Sequence, residues 1–336
     1  MKELKLFGLT IPKKYGGLEL SPCSEMEVLF EFGKTSPAFE AYFGTNIGIG
    51  SLAILLNGSE TQKDKYLPAI AKGDIISSFA LTEENAGSDA HSIQCLAEKR
   101  DNGWILNGKK RFITNEPEAD LITVVAKTND DKFAIFLVTK NNKGLSIGNI
   151  DNKMGHKGSH TAEVVLKDCY IDNEDIIGEI GNGMKIVMET LTKGRLSISA
   201  IAVGMCERLL SECTIYSKKR KQFNKSISSF QLIKNMLAVS ATKTYAAKCM
   251  VRDAAKRLSN DEDIKGKSSM CKYFSTETLC EVADNAVQIF GGNGYLANSI
   301  IESFYRDSRL FKIYEGTNEI QKLIIAGELL RKKSVK

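Results

Sequence analysis

The chain has 336 residues, 43% of them hydrophobic and 5 of them proline, ample for a large core and for two or three packed units. Its net charge is +5, from 46 basic and 41 acidic residues that are interspersed, so nucleic acid gains no special support, while a phosphate-bearing ligand stays open. No apolar run approaches the roughly 18 residues needed to span a membrane, and the first residues, M-K-E-L-K-L-F-G-L-T-I-P, carry no signal-peptide pattern; a cytoplasmic protein is expected.

The 8 cysteines include no C-x-x-C pair and read as reduced thiols, most of them, such as Cys206 and Cys249, in apolar surroundings. The 3 histidines do not form a metal site: His156 and His160 are separated by K-G-S, a poor helix, so their spacing does not place them on one face.

Taken in chain order, residues 1–74 read as helical. Glu25 to Phe32 carries apolar residues at helical spacing, and Glu60 to Lys72 is a second short helix. Residues 75–178 switch to short strands. Asp101-Asn102-Gly103 marks a hairpin turn before Trp104-Ile105-Leu106. Leu121–Val125, Phe133–Val138 and Ala162–Leu166 follow as apolar runs, and such spacing predicts a small antiparallel barrel or sandwich. Residues 179–336 return to long helical patterns over Met184–Cys213, Gln231–Leu258, Ser269–Phe290 and Asn318–Arg331, which bury their apolar faces most simply as a four-helix bundle. The expected fold is α+β, mostly α.

Five stretches carry candidate chemistry. In F-A-L-T-E-E-N-A-G-S-D (79–89) a strand enters a turn whose hydroxyls and amides suit a polar heterocycle, or it is an ordinary polar turn. In K-R-F-I-T-N (110–115) Phe112 and Thr114 are two apart on one strand face; they back and edge a flat ring, or Phe112 is a core aromatic. R-K-Q-F-N (220–224) offers an arginine for a pyrophosphate, or a basic turn between helices. Q-I-F-G-G-N-G-Y (288–295) follows a helix rather than a strand, so it is no dinucleotide fingerprint; its glycines either end the helix or admit a ligand close to backbone. In K-I-Y-E-G-T-N-E-I-Q (312–321), Thr317 or Asn318 caps the last helix, and Glu315 is either a base or an acid placed well for a helix start.

Each stretch alone is weak; their joint order is not. With L-T-I-P-K-K-Y-G-G at 9–17, M-G-x-K-G-S-x-T at 154–161, G-R at 194–195 and R-D at 306–307, the chain resembles the acyl-CoA dehydrogenase family through nearly its whole length. The resemblance implies an N-terminal helical domain, a middle β domain and a C-terminal four-helix domain, with FAD bound between the latter two and reaching a neighbouring subunit. It places Phe79, Leu81, Thr82, Ser88, Phe112 and Thr114 along the isoalloxazine and ribityl part. Arg220, Gln222, Phe223, Gln288, Gly291 and Gly292 would hold the adenosine diphosphate end, and Thr317 and Glu319 would complete the site. Glu315 would abstract the α proton of an acyl-CoA, and Ser88, Arg195 and Gly316 would lie near the substrate. The family's other base position matches Gly194, which cannot act as one.

The implied reaction is α,β-dehydrogenation of an acyl-CoA to the trans-2-enoyl-CoA, as in fatty-acid β-oxidation. Electrons would pass to an electron-transfer flavoprotein, and a homotetramer or homodimer is expected. An acyl-thioester oxidase, a carrier-protein dehydrogenase and a non-catalytic flavin-binding relative are the competing readings. The chain departs from the family pattern at Glu84-Asn85, in place of Pro-Gly, at Lys157 in place of a frequent arginine, and at Phe112 in place of a frequent tryptophan. The family also has several tens of residues before the stretch matching Leu6–Pro12, so the N-terminal domain is expected to be incomplete at its start.

Overall fold

The computed structural model describes residues 1–297 and 299–331, apart from the side chains of Pro37 and Glu40. Residues 332–336 of the expected C-terminal domain lie outside the described residues. Four helices come first: α1 (Pro22–Gly33), α2 (Pro37–Ile47), α3 (Ile49–Asn57) and α4 (Glu60–Lys72). Eight strands follow: β1 (Ser77–Ala80), β2 (Leu96–Arg100), β3 (Gly103–Thr114), β4 (Leu121–Thr128), β5 (Phe133–Thr139), β6 (Leu145–Ile150), β7 (Thr161–Asp172) and β8 (Ile176–Ile177). Then come α5 (Gly183–Lys219), a hairpin of β9 (Lys221–Gln222) and β10 (Lys225–Ser226), α6 (Gln231–Ser259), α7 (Lys265–Phe290), α8 (Gly292–Tyr295), α9 (Ile300–Phe311) and α10 (Asn318–Arg331). No helix of the described residues is long and apolar enough to cross a membrane.

The helix boundaries follow local chemistry. Ser21 caps α1 by accepting from the Ser24 amide, with Pro22 in the first turn. Ser59 and Gln62 close a reciprocal capping box on α4, and Gly73 ends it in the left-handed region at φ 75°. Among the described residues all eight cysteines are free; Cys206 is buried as expected, but Cys249 is exposed on α6, because its turn of the helix faces outward.

The chain divides into two compact units. The first comprises Met1–Leu20, Phe39–Lys153 and Lys157–Leu191. Its sheet runs β6-β7-β3-β2-β4-β5-β8, with β1 added beside β4. Most pairings are antiparallel, but β1 and β2 both pair parallel with β4. The expected hairpin is present, Arg100 pairing with Gly103 across the turn. β4 and β5 are buried on both faces, so their sequences are continuous apolar runs rather than alternating ones. Leu121, Val125, Ile135 and Leu137 pack with Ile54, Leu67 and Ile70 of the helices. Their strand neighbours Ile122, Val124, Phe136 and Val138 pack with Trp104, Leu106 and Val164 on the other side.

The second unit comprises Ser21–Ala38, Met154–His156 and the chain from Thr192 onward. The four long helical patterns are present as α5, which belongs to this unit from Thr192 onward, α6, α7 and α10. A further helix, α9, was not among the expected elements. It is short and charged, but Ile301, Phe304, Ser308 and Phe311 form one buried stripe, and Ser299 caps it.

Candidate active site

In the second unit α9 ends at Phe311 and α10 begins at Asn318, and the link makes a turn with two consecutive positive φ angles, Glu315 at 56° and Gly316 at 85°. Glycine takes such a conformation freely, whereas at glutamate it costs on the order of 1 kcal/mol. Buried side chains hold the turn by its carbonyls. Arg195 Nε donates to the Glu315 carbonyl at 3.2 Å, as does Gln321 Nε2 at 3.2 Å. Gln321 Nε2 and Lys272 Nζ both donate to the Gly316 carbonyl, each at 2.9 Å. Lys272 also donates to Asn318 Oδ1 at 2.9 Å, and Asn318 is tied onward to Thr276 and Glu277. Thr317 caps α10, its Oγ1 accepting from the Ile320 amide at 3.3 Å; Asn318, the other candidate cap, is buried in the lysine network instead.

The Glu315 carboxyl lies against Gly194. A Cβ at that position would sit 2.9 Å from Oε2 and 3.1 Å from Oε1, so only glycine leaves the carboxyl this room. Oε2 is buried without a hydrogen-bond partner among the described residues. Burial raises the carboxyl to about 7, against the opposing positive charges of Arg195 and Lys272. An acid near neutral pH, buried and not consumed by the helix, is equipped to take up and release a proton. Glu319, one residue into α10, is exposed.

The same unit carries a second group. Phe223 and Asn224 occupy the tip of the β9–β10 hairpin with φ 50° and 61°, the twist a two-residue hairpin requires. Phe223 is 86% exposed, Gln222 is exposed, and Arg220 has no carboxylate partner among the described residues. One turn before Arg220, Tyr216 stacks on Phe290 at 4.0 Å and its hydroxyl donates to the Phe290 carbonyl. That contact brings the hairpin beside Gln288 and the Gly291-Gly292 turn. Gly291 has φ 59° and ψ −137°, not the left-handed cap expected of a simple helix end. A Cβ at Gly291 or Gly292 would meet nothing within 4 Å, so this backbone is open to close approach.

In the first unit the loop after β1 is pinned to β3. The Arg111 amide donates to the Thr82 carbonyl at 2.8 Å, which brings Thr82 beside Phe112. Lys110 Nζ, fully buried, donates to the Leu81 carbonyl at 3.0 Å and pairs with Glu83 at 2.7 Å. The Glu83 carboxyl also accepts from the Cys95 amide at the oxygen that pairs with Lys110 and from the Gln94 amide at the other. Phe112 is not a core aromatic: the ladder slips between Lys110 and Ile113, Phe112 has φ 59°, and its ring is 60% exposed with the Arg111 guanidinium 4.4 Å above it. The bulge, not simple alternation, presents Phe112 and the half-buried Thr114. Phe79 and Leu81 point into the core, and Ser88 is exposed on the loop.

Lys272, Gln321, Glu83 and Lys110 were not singled out from sequence, and Asn318 was singled out only as a cap. Lysine or glutamate in an apolar segment is the only local hint of them, and it does not name a partner. The R-D motif is explained by packing: the Asp307 carboxylate accepts from the His156 amide at 2.6 Å, and Arg306 donates to the Met154 carbonyl at 2.7 Å.

Each group by itself suits one part of a flavin dinucleotide. An exposed aromatic with neighbouring hydroxyls suits the ring system and ribityl chain. An uncommitted guanidinium beside open glycine backbone suits a pyrophosphate.

The chain matches the family descriptions "Acyl-CoA dehydrogenase, N-terminal domain" over residues 1–74, "middle domain" over 78–169 and "C-terminal domain" over 181–330. It is 37% identical to a 3-(aryl)acrylate reductase of Clostridium sporogenes, covering 98% of this chain and 89% of that protein. It is also 37% identical to the caffeyl-CoA reductase-Etf complex subunit CarC of Acetobacterium woodii, over 99% of this chain and 89% of the relative. Among solved structures, an acyl-CoA dehydrogenase from Bacillus anthracis complexed with FAD superposes with a TM-score of 0.95 at 37% identity, covering 98% of this chain and 60% of that one. With all three domains matched and the fold shared, the chain belongs to the acyl-CoA dehydrogenase family of FAD-dependent oxidoreductases.

Proposed function

We propose that the protein removes the α and β hydrogens of an acyl-CoA thioester to give the trans-2-enoyl-CoA, with Glu315 as the base. The observation that carries this reading is the Glu315 carboxyl, buried, without a partner at Oε2, raised to about 7 and set on a clamped turn. When bound, FAD supplies the acceptor for the β hydrogen and its electron pair. The α C–H bond breaks with its proton passing to Glu315, and the electron pair left behind forms the new double bond. The Glu315 amide is proposed to stabilise the developing negative charge on the thioester oxygen. Arg195 supports Glu315 through its carbonyl, and Gly316, proposed to lie near the substrate, lets Gln321 Nε2 pack where a Cβ would sit, 2.7 Å away.

Phe79, Leu81, Thr82, Ser88, Phe112 and Thr114 are proposed to hold the flavin and ribityl part. Arg220, Gln222, Phe223, Gln288, Gly291 and Gly292 are proposed to hold the adenosine diphosphate, with Thr317 and Glu319 at the last helix. Three domains are proposed, residues 1–74, 75–178 and 179–336, of which the second and third carry these groups. An electron-transfer flavoprotein is the proposed electron partner, a reading supported by the relative named as an Etf-complex subunit. A homodimer or homotetramer is proposed, and exposed Leu323, Leu329 and Leu330 on α10 support an apolar subunit contact.

The two reductase relatives favour a second reading, the same site run backwards. Protonated Glu315 would then deliver its proton to the α carbon of an enoyl-CoA, the hydride for the β carbon being the chemistry that reduced FAD, held by the same residues, would supply. Anaerobic mixing decides between them. Bleaching of the flavin by a panel of saturated acyl-CoAs supports dehydrogenation. Reoxidation of the reduced protein by enoyl- or arylacryloyl-CoA, with no bleaching by the saturated partners, supports reduction. Failure of both removes the assignment.

A further inference from the structure

Lys272 occupies a position on α7 where a bundle helix ordinarily carries an apolar side chain, and its side chain is fully buried. A buried ammonium is costly unless its donors are engaged. Among the described residues Lys272 forms no ion pair; its partners are neutral oxygens, the Gly316 carbonyl and Asn318 Oδ1, both at 2.9 Å. The charges that face it are Glu315 on the turn, Arg195 on α5, Glu319 at the start of α10 and Glu277 on its own helix. Its hydrogen bond therefore grips the residue that follows Glu315, and its charge acts on the Glu315 carboxyl.

We infer that Lys272 is a positioning residue for Glu315, holding the left-handed Glu315-Gly316 turn by the Gly316 carbonyl while its charge favours the ionised carboxylate. The inference rests on the proposed acid–base role of Glu315. The two functions of Lys272 are separable. Gln321 also donates to the Gly316 carbonyl, so the turn keeps one clamp when Lys272 is replaced, but no amide reproduces the charge. Arg195, the larger of the two positive influences on Glu315, remains in place, so loss of Lys272 shifts the balance rather than abolishing it.

The test compares FAD-loaded wild type, Lys272→Met and Lys272→Gln. Infrared difference titration reads the carboxyl band that Glu315→Gln removes, without turnover. Butyryl-CoA bleaching and crotonyl-CoA reoxidation are followed against pH. In both lysine variants the carboxyl midpoint rises by about one pH unit, the lower end of what a nearby opposite charge does. The bleaching rate at pH 7 falls about fivefold in Lys272→Met, as the smaller ionised fraction at a midpoint one unit higher requires, while crotonyl-CoA reoxidation, which uses the protonated acid, does not fall with it. KM changes less than kcat, because Lys272 lies beneath the turn. Lys272→Gln, which still donates to the Gly316 carbonyl, recovers part of the rate but keeps the pH shift. An unchanged carboxyl midpoint in both variants overturns the inference. Loss of FAD or of the folded state in both also overturns it, because Lys272 would then serve the bundle rather than the turn. A wild type that exchanges electrons with neither thioester overturns the role of Glu315, while the infrared titration still reports whether Lys272 acts on its carboxyl.

Discussion

Glu315 and Gly194 form one device. The carboxyl occupies the space that any side chain at residue 194 would claim. Gly194→Ala is therefore expected to displace the carboxyl while leaving FAD bound, lowering the flavin-reduction rate on the order of 10–100-fold, the penalty of a misplaced reacting group. An alanine variant with the wild-type rate would show that the carboxyl has room to spare. Glu315→Gln is expected to retain the yellow colour and lose bleaching by acyl-CoA; near-normal bleaching removes Glu315 as the base. The pH dependence follows from the protonation state. The base works ionised and burial raises it to about 7, so in the dehydrogenation direction the rate climbs with pH through that value and then levels off. Stopped-flow reduction across pH 5.5–8.5 checks this. The sequence made the glutamate a candidate through the E-G-T-N-E-I-Q stretch; the burial of its carboxyl came from residues 194, 195 and 272, more than 40 positions away, which no local pattern connects.

At the scale of elements, the loop after β1 is kept in place by the buried Lys110–Glu83 pair. Glu83→Ala leaves the Lys110 ammonium without its counter-charge at a fully buried position. Removing one partner of such a pair costs about 3–5 kcal/mol. The denaturant midpoint is expected to fall accordingly and FAD to dissociate more readily, because Thr82 sits on the same loop; an unchanged midpoint would show that the pair is not coupled to the fold. The β3 bulge makes a related point. Alternation predicted that Phe112 and Thr114 share a face, yet the slip between Lys110 and Ile113 is what exposes the Phe112 ring. Helical segments were legible because four of them repeat an apolar stripe over many turns. α9 was missed because its stripe spans only three turns and is interrupted by charge.

At the scale of the molecule, three acids are raised to about 7, each chiefly by loss of solvent around the carboxyl: the half-buried Glu25, the buried Glu116, and Glu315. Their folded-state values lie above those of the unfolded chain, so the folded protein holds protons that the unfolded chain releases between pH 4.5 and 7. Stability from these groups is fully present below the ordinary carboxylate range and is lost as pH rises through about 7. Glu116, whose charge the Ser78 hydroxyl at 3.0 Å favours, contributes up to roughly 3 kcal/mol of this loss. The thermal midpoint is expected to be lower at pH 8 than at pH 6, and Glu116→Gln to reduce the difference; an identical slope in the variant would clear Glu116 of the effect.

The sequence by itself determined the order of helical, strand and helical segments and the family to which the chain belongs. Periodicity and short motifs are local and survive in one dimension. Only the tertiary structure decided which polar groups are buried and what they face. Gly194 beside Glu315, Lys272 under Gly316 and Lys110 against Glu83 join residues from separate elements. Desolvation and charge at those meeting points depend on every neighbour in space, not on neighbours along the chain.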